Sequence, residues 1–252
     1  DSNPKLPPER LPSDLIQLAF LLFVFLLGVP SNVITLIRLL RLQKTTRKNS
    51  SRASFVRLKV QLTLSDLMLL FFFVAPRIVW IATYQWIFGD LLCKFYNYIS
   101  MASFYLSSNI IVCIAIDRLR TVLNALQIGK GTHTVAPVLN LIVPAWLLSF
   151  TWAAPQMAVF QTTNILANSS RTWIQCSDIW AISSHQPAAI SMPSWFLTIR
   201  SQFAYEVTHL LLVFWMPLLV LLISHGTIAA LISQVSSLKQ QACAYSINIT
   251  LL

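Results

Sequence analysis

Apolar residues gather into five long runs along this chain, at about 15–40, 58–84, 90–122, 137–160 and 205–232, with polar stretches between them. Each run reaches the roughly 20 residues that a helix needs to cross a hydrocarbon core about 30 Å thick. The pattern therefore predicts an all-α membrane protein with five spanning helices. The third run organises the rest. Cys93 and Arg118 stand about 25 positions apart, roughly 37 Å of helix at 1.5 Å per residue, enough to cross a bilayer with tilt and protrude on both sides. That separation is close to seven whole turns, so both ends share a face, and Asn97, Ser100, Ser103 and Ser107 recur along it. A span with such a polar stripe needs neighbouring helices or a wet cavity on that side, unlike a lone anchor.

Composition sharpens the picture. Of the 252 residues 56% are hydrophobic and 10% charged, which suits a polytopic membrane protein and not a soluble surface. A net charge of +10 invites a nucleic-acid reading, but the positions decide against it. Arg38, Arg41, Lys44, Arg47, Lys48, Arg52, Arg57 and Lys59 fall in one short segment without Asp or Glu, between the first two runs. A dense basic loop beside membrane spans marks the cytoplasmic side. The expectation is a multi-pass plasma-membrane protein in contact with lipid, with its N-terminus outside and no nucleic-acid partner. Residues 1–14 then form a Pro-rich extracellular tail with no cleavable signal peptide in view. Of the sequons at Asn49, Asn168 and Asn248, only Asn168 faces the compartment where glycosylation occurs.

Candidate chemistry lies mostly inside the spans. Asp66, in the inner half of the second run, sits about 10 Å inward of Lys59 by helical rise, a depth similar to that of Asn32 in the first. The two side chains can meet, and Ser103 and Ser107 offer further oxygens. A buried carboxylate with oxygen neighbours suits a hard monovalent cation, an ordered water cluster or a neutral hydrogen-bonded hub. Asp117 and Arg118 form an adjacent acid–base pair at the inner end of the third run, read as buried or partner-facing. Cys93 and Cys176 both fall on the outer, oxidising side, whereas Cys113 reads as packing. There is no metal-ligand spacing, no phosphate-cradling loop and no nucleophile with a base, so an enzyme is not predicted. A small transporter or channel with Asp66 in the ion path stays open as the alternative, although no internal repeat supports it.

Asn32, LTLSD ending at Asp66, W-x-F-G from Trp86 to Gly89, Cys93, the Asp117–Arg118 pair, Trp146 with Pro155, Cys176 and Pro217 in FWMP occur in the order and spacing of a known class. The chain resembles a rhodopsin-like G-protein-coupled receptor over about residues 15–235. Within the class it resembles the gonadotropin-releasing-hormone, adipokinetic-hormone and vasopressin receptor group, nematode members included. SFYLSSNIIVCIAIDR is especially similar. The resemblance implies a peptide hormone or neuropeptide as ligand and a heterotrimeric G protein as partner of the full-length form. It also implies a sodium pocket at Asp66, Ser103 and Ser107 with Asn32 nearby, a coupling switch at Asp117 and Arg118, and a Cys93–Cys176 disulfide. Peptide contacts would come from Arg77, Ser100 and Glu206. Departures lie at Arg77 and Ser100, where relatives tend to carry acidic and basic residues respectively, and at His225, where a Tyr is usual.

No sixth span with C-W-x-P and no seventh with N-P-x-x-Y is found, so five of the seven helices of the bundle are expected. Residues 236–252 read as an atypical tail, and the stretch after Cys176 is longer than usual. The expectation is a truncated, non-signalling form or a gene model with retained intron. Such a chain would be retained in the endoplasmic reticulum or associate with a full-length receptor.

Overall fold

The computed structural model describes residues 9–46, 51–126, 138–166, 172–186, 190 and 192–250. Among these, five helices are long and apolar enough to cross a membrane: Pro12–Thr45, Ser51–Thr83, Gly89–Leu126, Leu139–Val159 and Ile199–Leu238, here spans one to five. They follow the predicted runs in number and order. Span five departs at its end, because its helix runs on to Thr250 through the segment read as a tail. Residues 233–250 contain neither Gly nor Pro, so nothing in them breaks the helix.

Spans two and five contain the same irregularity. A single π-turn occupies Leu70–Val74 in one and Leu211–Trp215 in the other, each two residues before a proline, Pro76 or Pro217. Proline lacks the N–H that would serve the carbonyl four residues back, here Phe72 or Val213. No water reaches such a carbonyl in the bilayer core, so another protein group must satisfy it. Span three supplies both substitutes. Ser100 Oγ donates to the Phe72 carbonyl at 3.1 Å, and Ser108 Oγ donates to that of Val213 at 2.7 Å.

The core follows span three. Leu106, Ile110 and Cys113 pack with Leu58 of span two and with Ile142 and Ala145 of span four. Two polar bridges knit the same region: Asn109 Nδ2 donates to Ser149 Oγ at 2.9 Å, and Trp146 Nε1 donates to Gln61 Oε1 at 3.0 Å. Lipid tails are as apolar as leucine, so helix association here depends on close packing and on bonds of this kind. Span one gains its approach through Gly28, where a Cβ would stand 3.0 Å from Leu70 Cδ2.

The all-α architecture carries one exception that the apolar pattern did not predict. Strands β1, Phe160–Asn164, and β2, Ile174–Asp178, pair antiparallel with Thr162 opposite Cys176. Asn164 Oδ1 accepts from the N–H groups of Leu166 and Trp173 and so ties together the two ends of the connecting loop. Cys176 is bonded to Cys93 with Cα atoms 5.6 Å apart, which fixes the hairpin to the mouth of span three. Trp80 Nε1 donates to Gln175 Oε1 and Trp173 Nε1 to the Tyr84 carbonyl, so the hairpin also grips the end of span two.

Candidate functional site

A cavity of about 300 Å³ opens in the half of the bundle that lies under the hairpin. Asn97, Ser100 and Phe104 of span three form one wall and Tyr205, Glu206 and His209 of span five another. Phe73, Gln156 and Phe160 complete it from span two, the end of span four and β1. Much of its polarity is already engaged. Asn97 Nδ2 donates to the Cys93 carbonyl at 2.9 Å and touches Cys176 Sγ at 3.2 Å, while the Ser100 hydroxyl is committed to Phe72. His209 bridges three spans: its Nδ1 meets the Tyr105 hydroxyl, its Nε2 meets Gln156 Nε2 at 3.2 Å, and its ring stands edge-on to Tyr205 at 4.4 Å. Glu206 Oε1 accepts from Gln202 Nε2 at 2.9 Å.

Of the three side chains expected to contact a ligand, Ser100 and Glu206 line this cavity and Arg77 does not. Arg77 lines a second cavity of about 290 Å³ with Asp14, Trp80, Trp173 and Gln175, its guanidinium 4.8 Å from the Trp80 ring centroid. The π-turn explains the displacement. One extra residue in a turn rotates everything beyond it by about 100° relative to an uninterrupted α-helix, and Arg77 lies just beyond. The His209 cluster was missed for a different reason. Its members come from spans three, four and five, and only the i, i+4 pair of Tyr205 and His209 was a signal within a single run.

Deeper in the bundle the proposed hub is only partly assembled. Ser107 Oγ approaches Asp66 Oδ1 at 3.5 Å, the outer limit of a hydrogen bond. Ser103 Oγ donates to the Ile99 carbonyl of its own helix at 2.7 Å. Asn32 does not meet Asp66: its amide donates to the Gly28 carbonyl at 2.9 Å. A short polar side chain on a helix can reach the carbonyl one turn back, and Ser31 and Asn32 both do so, onto Leu27 and Gly28, which keeps the Asn32 amide on span one.

At the opposite end, Arg118 pairs with Asp117 at 2.5 Å and stacks on Phe55 at 4.2 Å. Its guanidinium also reaches the Ser51 carbonyl at 3.4 Å, and Ser51 Oγ lies 2.9 Å from Thr121 Oγ1. Span three is thereby joined to the start of span two. Arg118 Nε is buried without a partner among the described residues. His225 is exposed, and no hydrogen bond joins it to Arg118.

Residues 31–248 match the 7 transmembrane receptor (rhodopsin family). The chain belongs to the rhodopsin family of seven-transmembrane receptors. It is 34% identical over 223 residues to the G-protein coupled receptor daf-38 of Caenorhabditis elegans, a match covering 88% of this chain and 51% of the relative. Cephalotocin receptor 2 of Octopus vulgaris is 28% identical over 84% of this chain and 44% of its own length. The gonadotropin-releasing hormone receptor of Mus musculus is 27% identical over 90% of this chain and 65% of its own length. The chain thus spans about half the length of the first two.

Members of the rhodopsin family are receptors and not enzymes, which agrees with the absence of catalytic spacing in the sequence. Membership likewise counts against the transporter alternative. Among the residues expected to matter in a rhodopsin-family receptor, Asn168 lies outside the described residues. The sodium site that the family implies has an oxygen-only donor set in Asp66 and Ser107. These two fit a hard monovalent ion in kind, whereas no hydrogen bond joins Ser103 or Asn32 to them: each is bonded to a carbonyl of its own helix.

Proposed function

We propose that this chain forms the ligand-binding and G-protein-facing part of a receptor for a peptide hormone or neuropeptide of the gonadotropin-releasing-hormone, adipokinetic-hormone or vasopressin kind. Signalling through a heterotrimeric G protein belongs to the full-length form. Span three carries the reading. One continuous helix walls the cavity with Asn97 and Ser100 and, about five turns further on, holds the Asp117–Arg118 pair against Phe55 and the start of span two. A ligand that repositions the first end acts on the second through a rigid rod. The names of the octopus and mouse relatives support a peptide ligand. The basic residues of the 38–59 segment, at the Arg118 end, support an N-terminus outside the cell. On this reading Asp66, Ser107 and Ser103 hold sodium, which supplies a counter-charge to the carboxylate and favours the resting state by binding it better.

The test joins this chain to the sixth and seventh spans of the daf-38 receptor and reads G-protein activation against a library of peptide amides. A peptide should activate the unaltered receptor, and Arg118→Ala should abolish activation while leaving peptide binding intact. Replacing sodium by N-methylglucamine should raise agonist potency, and Asp66→Asn should remove that dependence. Transport of labelled solute without any peptide response would instead support the transporter reading.

A further inference from the structure

The cavity beneath the hairpin has a charge preference, and the inference rests on that cavity being the ligand site. Glu206 is the sole carboxylate among the described residues that line it. One of its oxygens accepts from Gln202, and neither pairs with a cation among the described residues, whose ion pairs are Lys94–Asp90 and Arg118–Asp117. Arg77 is turned away into the second cavity and sits over Trp80. Both ring nitrogens of His209 are engaged within the protein, Nδ1 with the Tyr105 hydroxyl and Nε2 with the Gln156 amide, so neither is turned to a ligand. Aromatic rings make up much of the rest: Phe73, Tyr96, Phe104, Phe160 and Tyr205. The Tyr205 hydroxyl is buried with no partner among the described residues.

We propose that this cavity receives a cationic group of the ligand, a guanidinium or an ammonium, seated on the Glu206 carboxylate and faced by the aromatic rings. Glu206 is exposed at the rim, so it meets a cation as a partly solvated carboxylate whose pull grows where the apolar wall displaces water. Charge-assisted hydrogen bonds hold the group in place, and ring faces add attraction that a neutral isostere lacks.

The test uses the chain in lipid nanodiscs with two probes of one shape, phenethylguanidinium and phenethylurea. The cation should bind at least about tenfold more tightly than the urea, the factor expected from one charge-assisted contact. Glu206→Gln should erase the preference and Glu206→Asp should keep most of it. Formation of the Cys93–Cys176 bridge in each variant reports that the outer half has folded. Equal affinity for the two probes, a preference that survives Glu206→Gln, or no binding of either at millimolar concentration overturns the proposal. The two readings fail separately. A Glu206-dependent cation preference with no response to any peptide removes the peptide reading alone. A peptide response indifferent to replacing each arginine by citrulline and each lysine by norleucine removes the cation assignment alone.

Discussion

Spans two and five break their helices by the same means, yet the two breaks sit in different surroundings. Around the π-turn of span two, Leu70 and Val74 are buried against Leu21, Val24 and Phe25 of span one, and Gly28 lets the two helices close. The π-turn of span five has no buried residue; Leu212 and Val213 touch the Tyr105 cluster while Phe214 and Trp215 point outward. Both are hydrogen-bonded to span three by a single serine. Among the described residues the same backbone fault is gripped from two sides in span two and from one side in span five. Span two is built to stay. The outer half of span five is held instead by side chains: Tyr205 packs on Val159, Ile179 and Trp180, and His209 meets Tyr105 and Gln156.

The largest test removes what both regions share, the hairpin held by the Cys93–Cys176 bond. That bond closes a loop with a sequence separation of 83 residues, and Cys176→Ser should cost about 4.5 kcal/mol in the chain-entropy account. The loss should fall unevenly. The hairpin segment holds span two by three hydrogen bonds, Trp80 to Gln175 and both Trp173 and Gln175 to the Tyr84 carbonyl, but meets span five through one, Trp180 Nε1 to Ser201 Oγ at 3.2 Å, and through the rings of Phe160 and Trp180 packed near Tyr205. Hydrogen exchange on the variant should therefore show amides at 205–210 losing protection before those at 78–83. Equal loss at both would mean that the hairpin does not distinguish the two spans.

A smaller and more direct contrast compares equivalent leucines of the two π-turns. Leu70 is 6% exposed and Leu211 is 45% exposed. Leu70→Ala opens a void beside Gly28 and should destabilise by about 2 kcal/mol, at the low end for a buried leucine because in lipid the loss is one of packing. Leu211→Ala should change stability by less than about 0.5 kcal/mol. Thermal unfolding of the detergent-solubilised variants, monitored by tryptophan fluorescence, measures both, and similar shifts would erase the distinction. Apolar runs alone could not have shown this, because Leu70 and Leu211 look alike in sequence. What was legible were features with a local cause: five spans from run length, the polar stripe of span three from its period, and the nearness of Ser107 to Asp66 from depth. What was not legible depends on phase and on the meeting of distant segments. The π-turn of span two displaced Arg77, Asn32 bonded back onto its own helix, the hairpin needed a partner strand, and His209 needed Tyr105 and Gln156 from other spans.

The smallest effect decides whether the serines are there because of the prolines. Ser100→Ala strips the Phe72 carbonyl of its donor and Ser108→Ala does the same to that of Val213. Each should cost about 0.6–1 kcal/mol, the range for one polar pair between membrane helices. Pro76→Ala restores an N–H that can close the α-helical bond to Phe72, so in that background Ser100→Ala should cost almost nothing, and the double-mutant cycle should return a coupling close to the whole single-mutant effect. Span five should couple as fully, by another route. Among the described residues its π-turn is not clamped on its far side, so Pro217→Ala lets span five re-register and carries the Val213 carbonyl away from Ser108 of span three, after which Ser108→Ala has nothing left to remove. A cycle at Ser100 and Pro76 that sums without coupling would mean that Phe72 finds its hydrogen bond elsewhere. Span two would then be held by packing alone, and the shared device would reduce to a coincidence of sequence.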